Sequence, residues 1–217
     1  MKREIIITSD GSTTIHLPDW NEQYHSKHGA IQEAYHVFIK NGLELLDKDE
    51  ISILEIGFGT GLNSFITFLE NNRTVNYVGV EAYPVSDEEV IKLNYVTELN
   101  AVTKEAVFKK MHEVSWGKKH EIIQNFSLTK RQQFFKEIDD IDTFDLIYFD
   151  AFGAEHQPEL WTEEIFNIMF NAMKKNGILV TYSAKGSVRR AMQAVGFEVE
   201  RLPGPPGKRE MLRATKH

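Results

Sequence analysis

Three groups of residues in this sequence have types and spacings that could do chemistry. The first is Glu55-Ile56-Gly57-Phe58-Gly59-Thr60-Gly61, where glycines alternate directly after an apolar run. Glycines so spaced permit a turn that no Cβ-bearing residue follows cheaply, and a ligand can then approach the backbone. A helix after such a loop offers its first N–H groups to an anion. The second is Glu81, twenty residues beyond Gly61 and at the end of another apolar run. A carboxylate there can accept hydrogen bonds from both hydroxyls of a ribose. Loop and acid together indicate a nucleotide-like ligand. The third is Asp150, at the exit of Leu146-Ile147-Tyr148-Phe149. A carboxylate at that point can receive an amine, aim its lone pair and stabilise developing positive charge, although an Asp capping the next turn also fits.

Other candidates are weaker. His25 and His28 have H-x-x-H spacing, but no third ligand or cysteine accompanies them, so no metal is expected. Tyr24-His25 instead suits a segment covering a ligand, or an ordinary polar helix entry. Trp116-Gly117-Lys118-Lys119-His120 mixes an aromatic ring with cations, as RNA-contacting loops do; a solvated turn explains it equally well. No Walker Gly-Lys-Ser/Thr is present, which argues against a nucleoside triphosphatase.

These residues need a framework, and the sequence supplies one. Glu4–Thr8 and Thr13–Leu17 flank Asp10-Gly11-Ser12 as a small hairpin. Gly29–Lys40 reads as a helix with Ile31, Ala34, Tyr35 and Phe38 on one face. Strands and helices alternate from Ile51 onward. Strands are expected at Ile51–Ile56, Asn76–Glu81, Glu121–Phe126, Phe144–Phe149, Gly177–Ser183, Phe197–Arg201 and Arg209–Ala214. Helices are expected at Leu62–Glu70, from Ser86 to about His112, at Pro158–Lys174 before Asn176-Gly177, and at Ser187–Val195. Such alternation implies an α/β fold: a mainly parallel seven-stranded sheet with helices on both faces, its last two strands an antiparallel hairpin. Ligands of such sheets bind at the carboxyl ends of the strands, which sets the glycine loop, Glu81 and Asp150 on one rim. The expected organisation is a single domain over 1–217, with residues 1–45 an extension and 46–217 the core.

Composition narrows the class. The 217 residues are 41% hydrophobic and 26% charged and contain no cysteine, as in an ordinary globular protein without disulfides or thiolate chemistry. No apolar run approaches the roughly 18 residues of a membrane span, and the N-terminus lacks a signal-peptide pattern. A cytoplasmic location is expected. The net charge of −7 is uneven: from Lys185 onward eight basic residues oppose Glu198, Glu200 and Glu210, so this stretch is +5 and the remainder −12. A local basic surface suits one anionic ligand better than indiscriminate nucleic-acid binding, though a solvated face accounts for the charge as well.

The E-x-G-x-G-x-G form resembles the first motif of the class I methyltransferases, Rossmann-like proteins in which the acid lies beside the methionyl moiety of S-adenosyl-L-methionine. Over nearly its whole length the chain is similar to the tRNA 5-aminomethyl-2-thiouridine methyltransferases, which form one half of the bifunctional MnmC enzymes and also occur alone. The likeness runs through Thr8-Ser9-Asp10-Gly11-Ser12, Tyr24-His25-Ser26, Gly29-Ala30-Ile31-Gln32-Glu33, Leu54–Asn63, Asp150-Ala151-Phe152 and Pro158-Glu159-Leu160-Trp161. It closes on Tyr182–Arg190 and Gly204–Leu212, the specific pair of motifs. The resemblance implies methylation of the 5-aminomethyl nitrogen on the wobble uridine of tRNA, with Asp150 as the catalytic acid. It places Glu55, Gly57, Phe58, Gly59, Gly61, Asn63, Glu81, Ala151 and Phe152 at the cofactor. Tyr24, His25, Ser183, Arg189, Lys208 and Arg209 are assigned to the substrate, the last two against phosphate. The chain departs from the family in three ways. The flavin-dependent half is expected to be absent, so separate upstream enzymes would make the amine. Asn125-Phe126-Ser127-Leu128 stands where a Gly-Asp usually meets the adenine. Gly153-Ala154 replaces Ala-Pro, which predicts a more mobile loop. A methyltransferase acting on another RNA or a small amine, and a non-catalytic nucleoside-binding module, are the competing readings.

Overall fold

The computed structural model describes residues 2–217. A three-stranded antiparallel sheet comes first, from β1 (Glu4–Ile7), β2 (Thr13–Leu17) and β3 (Glu22–Gln23). Helix α1 (Ala30–Ala34) follows and widens into a π-helix over Tyr35–Lys40. Then come β4 (Glu50–Ile56), α2 (Leu62–Glu70), β5 (Thr74–Val80) and three short helices, α3 (Asp87–Val90), α4 (Tyr95–Glu98) and α5 (Glu105–Glu113). The chain continues through β6 (Lys119–Ile123), β7 (Phe126–Arg131), β8 (Phe144–Phe149), α6 (Glu163–Ala172), β9 (Met173–Thr181), α7 (Gly186–Ala194), β10 (Glu198–Pro203) and β11 (Glu210–Thr215).

The main sheet has eight strands in the order β10-β11-β9-β8-β4-β5-β7-β6, so the α/β, Rossmann-like class holds and the strand number is one higher than expected. Strands β9, β8, β4, β5 and β7 are parallel; β11 and β6 run opposite to them, and β10, antiparallel to β11, runs with them at the edge. The extra strand arises at Gln124-Asn125. Asn125 adopts φ 66°, a left-handed conformation that Asn tolerates in turns. The expected strand Glu121–Phe126 is therefore a hairpin, and the parallel strand is β7. Asn125–Leu128 opens that strand rather than following it, and the true exit is Gln132-Gln133-Phe134-Phe135.

The helix expected over 86–112 is three pieces, starting at a capping box in which Ser86 accepts the Glu89 N–H. The helix expected over 158–174 stops at Ala172, and Asn176-Gly177 lies within β9.

Side-chain alternation along β4 divides the core. Ile51 and Ile53 face the cluster under α1, α2 and α5, whereas Leu54 and Ile56 face the cluster under α6 and α7. Helix α2 is buried from Leu62 to Phe68, its polar Asn63, Ser64 and Thr67 each hydrogen-bonded inside the protein. The buried stripe of the first helix is displaced by one position from the expected one: Ala30, Glu33, Ala34, Val37 and Phe38 are buried, while Ile31 and Tyr35 are only partly so. Asn94 fastens the N-terminal sheet to the core by accepting the Thr13 N–H at 2.7 Å and donating to the Gly11 carbonyl at 2.8 Å. Among the described residues no helix is long and apolar enough to cross a membrane.

Candidate active site

The parallel strands leave β4 in opposite directions, toward β5 and β7 on one side and β8 and β9 on the other, so a crevice opens between the carboxyl ends of β4 and β8. Gly57 and Asp150 meet there. The Asp150 N–H donates to the Ile56 carbonyl at 2.9 Å. Gly57 has φ 85°, and a Cβ on it would lie 2.6 Å from the Asp150 carbonyl oxygen. A glycine is required on both counts. A cleft of about 1360 Å³ runs along this edge.

Gly57, Gly59, Glu81, Asp150, Ala151 and Phe152 all line the cleft, as do Tyr24, His25, Ser183 and Lys208. The loop amides are already engaged: those of Gly57 and Phe58 donate to the Val80 carbonyl, and that of Gly61 to Phe58. The glycines thus contribute close approach rather than free donors. Glu81 is held at the rim by the Gly59 N–H at 3.1 Å and the Tyr83 N–H at 2.9 Å, one on each oxygen. Each oxygen retains a further lone pair. Cradle, rim carboxylate and cleft size fit a nucleoside bearing a ribose.

Four residues assigned to the cofactor lie behind the cleft wall. Glu55 shares the strand face of Ile51 and Ile53, so its side chain passes under α2 and is 1% exposed. It accepts from Asn63 Nδ2 and the Tyr77 hydroxyl, both at 2.9 Å, and burial pushes its carboxyl well above the usual range. Asn63 Nδ2 also donates to Asp150 Oδ2 at 2.9 Å, which joins the two acids through one amide. The Phe58 ring turns into the core, 6.2 Å from both His112 and Trp116. It fills the space above Gly79, where any Cβ would be 2.3 Å from the ring. Gly61, the left-handed cap of α2, packs on His112.

Asp150 is pushed up to about 7, chiefly by burial and then by the negative charge of Glu33; Asn63 and Lys208 act the other way. Tyr182 donates to the Ala151 carbonyl at 2.8 Å and Trp161 to the Phe152 carbonyl at 2.7 Å. These bonds hold the chain at Ala151 and Phe152, directly ahead of Gly153-Ala154. Trp20, Tyr24 and Phe152 form an aromatic wall, with Phe152 edge-on to Trp20 at 5.8 Å and to Tyr24 at 5.0 Å.

The residues assigned to the substrate separate into two groups. Tyr24 packs on Gly59, whose added Cβ would lie 3.1 Å from its ring. His25 Nδ1 lies 3.1 Å from Thr14 Oγ1, and burial lowers the imidazole to about 4, so it is neutral. Lys208 turns inward, with Nζ 2.6 Å from Glu33 Oε1 and 3.7 Å above the Tyr182 ring. Arg189 and Arg209 lie outside the cleft lining: Arg209 is exposed on the β10–β11 turn, and Arg189 is half-buried on α7 with its Nε shielded from water. Much of the basic stretch is paired internally: Lys185 with Glu155, Arg201 with Glu210, Arg213 with Glu200 and Lys216 with Asp142. None of Trp116–His120 lines the cleft; Trp116 lies under the Lys130 ammonium at 5.0 Å.

The sequence reading missed Glu33, Trp20, Tyr182 and Phe134 as cleft residues. Glu33 carried a usable signal, three positions after Ala30 on what proves to be the buried stripe. Phe134 became visible only once β7 was in register.

A search of curated proteins finds the tRNA 5-methylaminomethyl-2-thiouridine biosynthesis bifunctional protein MnmC of Cupriavidus metallidurans, 27% identical over 97% of this chain and 33% of that protein. The protein of the same name from Leptospira borgpetersenii is 28% identical over 89% of this chain and 32% of its own length. The chain therefore spans about a third of these relatives. Among solved structures, MnmC2 of Aquifex aeolicus has the same fold, with a TM-score of 0.77 at 23% identity over 100% of this chain and 70% of that one. A family model described as S-adenosyl-L-methionine-dependent methyltransferase matches residues 99–217. That match covers more than half of the sequence and takes in β7, Asp150 and the β10–β11 hairpin, and the chain belongs to this methyltransferase family.

Proposed function

We propose that this chain methylates the amine of a 5-aminomethyl group on the wobble uridine of tRNA, with Asp150 receiving that amine. The observation that carries the reading is the position of Asp150, at the strand switch point and facing the same cleft as the glycine loop. Relatives named for 5-methylaminomethyl-2-thiouridine biosynthesis, matched along nearly all of this chain, support the substrate class.

When bound, S-adenosyl-L-methionine supplies an electrophilic methyl group on sulfur. Gly57 and Gly59 give it backbone clearance, and Glu81 accepts from its ribose. Phe134, at the exit of β7, borders the same cleft and suits its adenine. Asn63 occupies Asp150 Oδ2 and, among the described residues, no side chain donates to Oδ1. Oδ1 is thus the acceptor for the amine, and a carboxyl near 7 can take a proton from an ammonium group at working pH. Trp20 and Phe152 offer aromatic surfaces for a splayed-out base. Arg189, Arg190 and Arg209 remain outside the cleft for the phosphate backbone. Residues 1–45 and 46–217 act as one unit in this reading, since Tyr24 and Glu33 reach the cleft from the former. In this reading the chain works in the cytoplasm, on tRNA to which another activity has supplied the aminomethyl group.

The test is label transfer from methyl-labelled cofactor to tRNA bearing 5-aminomethyluridine. Transfer by the wild type and its loss in Asp150→Ala are expected. Cofactor binding without transfer to this tRNA would sink the substrate reading.

A further inference from the structure

Two carboxylates and one ammonium meet at the end of the cleft where the amine would lie. Glu33 comes from α1, Asp150 from the exit of β8, and Lys208 from the turn between β10 and β11. The two acids compete for the cation, and the geometry has a clear winner. Lys208 Nζ is 2.6 Å from Glu33 Oε1, seated 3.7 Å above the Tyr182 ring, and among the described residues it makes no ion pair with Asp150. Glu33 is itself fixed, because its Oε2 accepts the Ser26 N–H at 2.8 Å and it is 6% exposed. The Tyr182 ring under the ammonium is anchored by its own bond to Ala151.

We propose that Glu33 is a positioning residue that withholds the Lys208 ammonium from Asp150, leaving the Asp150 carboxylate unpaired toward the cleft and able to accept the proton of the substrate amine. This inference rests on the amine-methylation reading. The groups facing Asp150 are Glu55 on β4, Tyr77 on β5, Glu33 on α1, Tyr182 beyond β9, and Lys208. Only Lys208 among them is a cation. An opposite charge moved to within about 4–6 Å of a carboxylate lowers its pKa by roughly 1–3 units. Lys208 held by Glu33 acts on Asp150 only at a distance; Lys208 released would pair with it directly. The proton bookkeeping is simple. The substrate ammonium gives its proton to the Asp150 carboxylate, the neutral amine attacks the methyl carbon, and the new N–C bond forms as the S–C bond breaks. The methylated ammonium then loses its second proton to solvent, and Asp150 likewise returns its proton there.

The two partners of this ion pair therefore have opposite effects when removed. In Glu33→Gln, Lys208 turns to Asp150, so the acidic limb of the kcat–pH profile moves down by roughly one pH unit or more and kcat at its plateau falls at least about tenfold. In Lys208→Met, a distant cation is lost, and the same limb moves up. The double variant, with no lysine to capture Asp150, returns the limb close to its wild-type position. Charge removal alone moves the two limbs in these same directions, since Glu33 raises and Lys208 lowers the Asp150 carboxyl. Capture is read from the plateau, where kcat falls in Glu33→Gln and recovers in the double variant; an unchanged or unrecovered plateau overturns the inference. The measurement is kcat against pH with tRNA bearing 5-aminomethyluridine, alongside cofactor affinity by calorimetry and thermal unfolding. Limbs unmoved, or moved the same way in both single variants, overturn the inference. Should Glu33→Gln fail to fold, Glu33→Asp decides, because it keeps the charge and gives up the 2.6 Å grip on Lys208: a lowered plateau kcat supports the proposal and an unchanged one overturns it. Failure of the wild type to methylate this tRNA would instead count against the substrate reading itself.

Discussion

Asp150→Asn should make the protein more stable at pH 8 while abolishing its chemistry. The folded protein holds the Asp150 carboxyl at about 7, against an ordinary value of 3.8. The fold therefore binds that proton more tightly than the unfolded chain does. The stability this contributes is complete below pH 3.8 and drains away as pH rises to 7, at about 1.4 kcal/mol per pH unit. Three units set a ceiling of about 4 kcal/mol. Asp150 is partly exposed on the cleft floor, and screening by water leaves roughly 1–2 kcal/mol. Asparagine has the same shape, accepts from Asn63 Nδ2 and carries no charge to desolvate. For a chain of this length, that gain is a rise in Tm of about 3–6 °C. The assay is thermal unfolding of both proteins without cofactor from pH 4 to pH 8, and the gap should close at the acid end. A variant no more stable at pH 8, or a gap independent of pH, would refute the claim that burial raises this carboxyl.

Three other perturbations read different parts of the site. In Gly79→Ala the new methyl meets the Phe58 ring at 2.3 Å; overpacking at this central strand should cost about 1–3 kcal/mol in urea unfolding, and wild-type stability would mean the ring is not wedged there. Glu81→Ala removes the acceptor of the Gly59 and Tyr83 amides; if the same carboxylate holds a ribose, cofactor Kd rises roughly 10–100-fold with the fold intact, and an unchanged Kd rules that role out. Burial lowers His25 and His112 to about 4 each. The unfolded chain then takes up their protons first, so stability is lost as pH falls from about 6.5 toward 4; imidazole NMR titrations near 6.5 would contradict this.

Much of the fold was legible because its signals are local. Strand–helix alternation, the glycine loop after β4 and the acid at the end of each neighbouring strand predict the parallel sheet and bring Gly57, Glu81 and Asp150 to one edge. The misreadings also have local causes. An Asn turn at 125 sits inside an apolar run and hides a hairpin, so the strand exit was sought at Asn125–Leu128 when the parallel strand only begins at Phe126. Asn176-Gly177, which ordinarily stops a helix, lies instead within β9.

What the residues determine alone is therefore the class of ligand and its position relative to the sheet. The partners of each acid were decided only by the tertiary structure. Alternation along β4 sends Glu55 under α2 to Asn63 and Tyr77, away from the cleft. Glu33 lies on the buried stripe of α1, and the β10–β11 hairpin folds Lys208 back onto it across 175 positions of sequence. Charges so far apart in the chain share no periodicity, so only the packing that joins them can state which acid is paired and which is left facing the cleft.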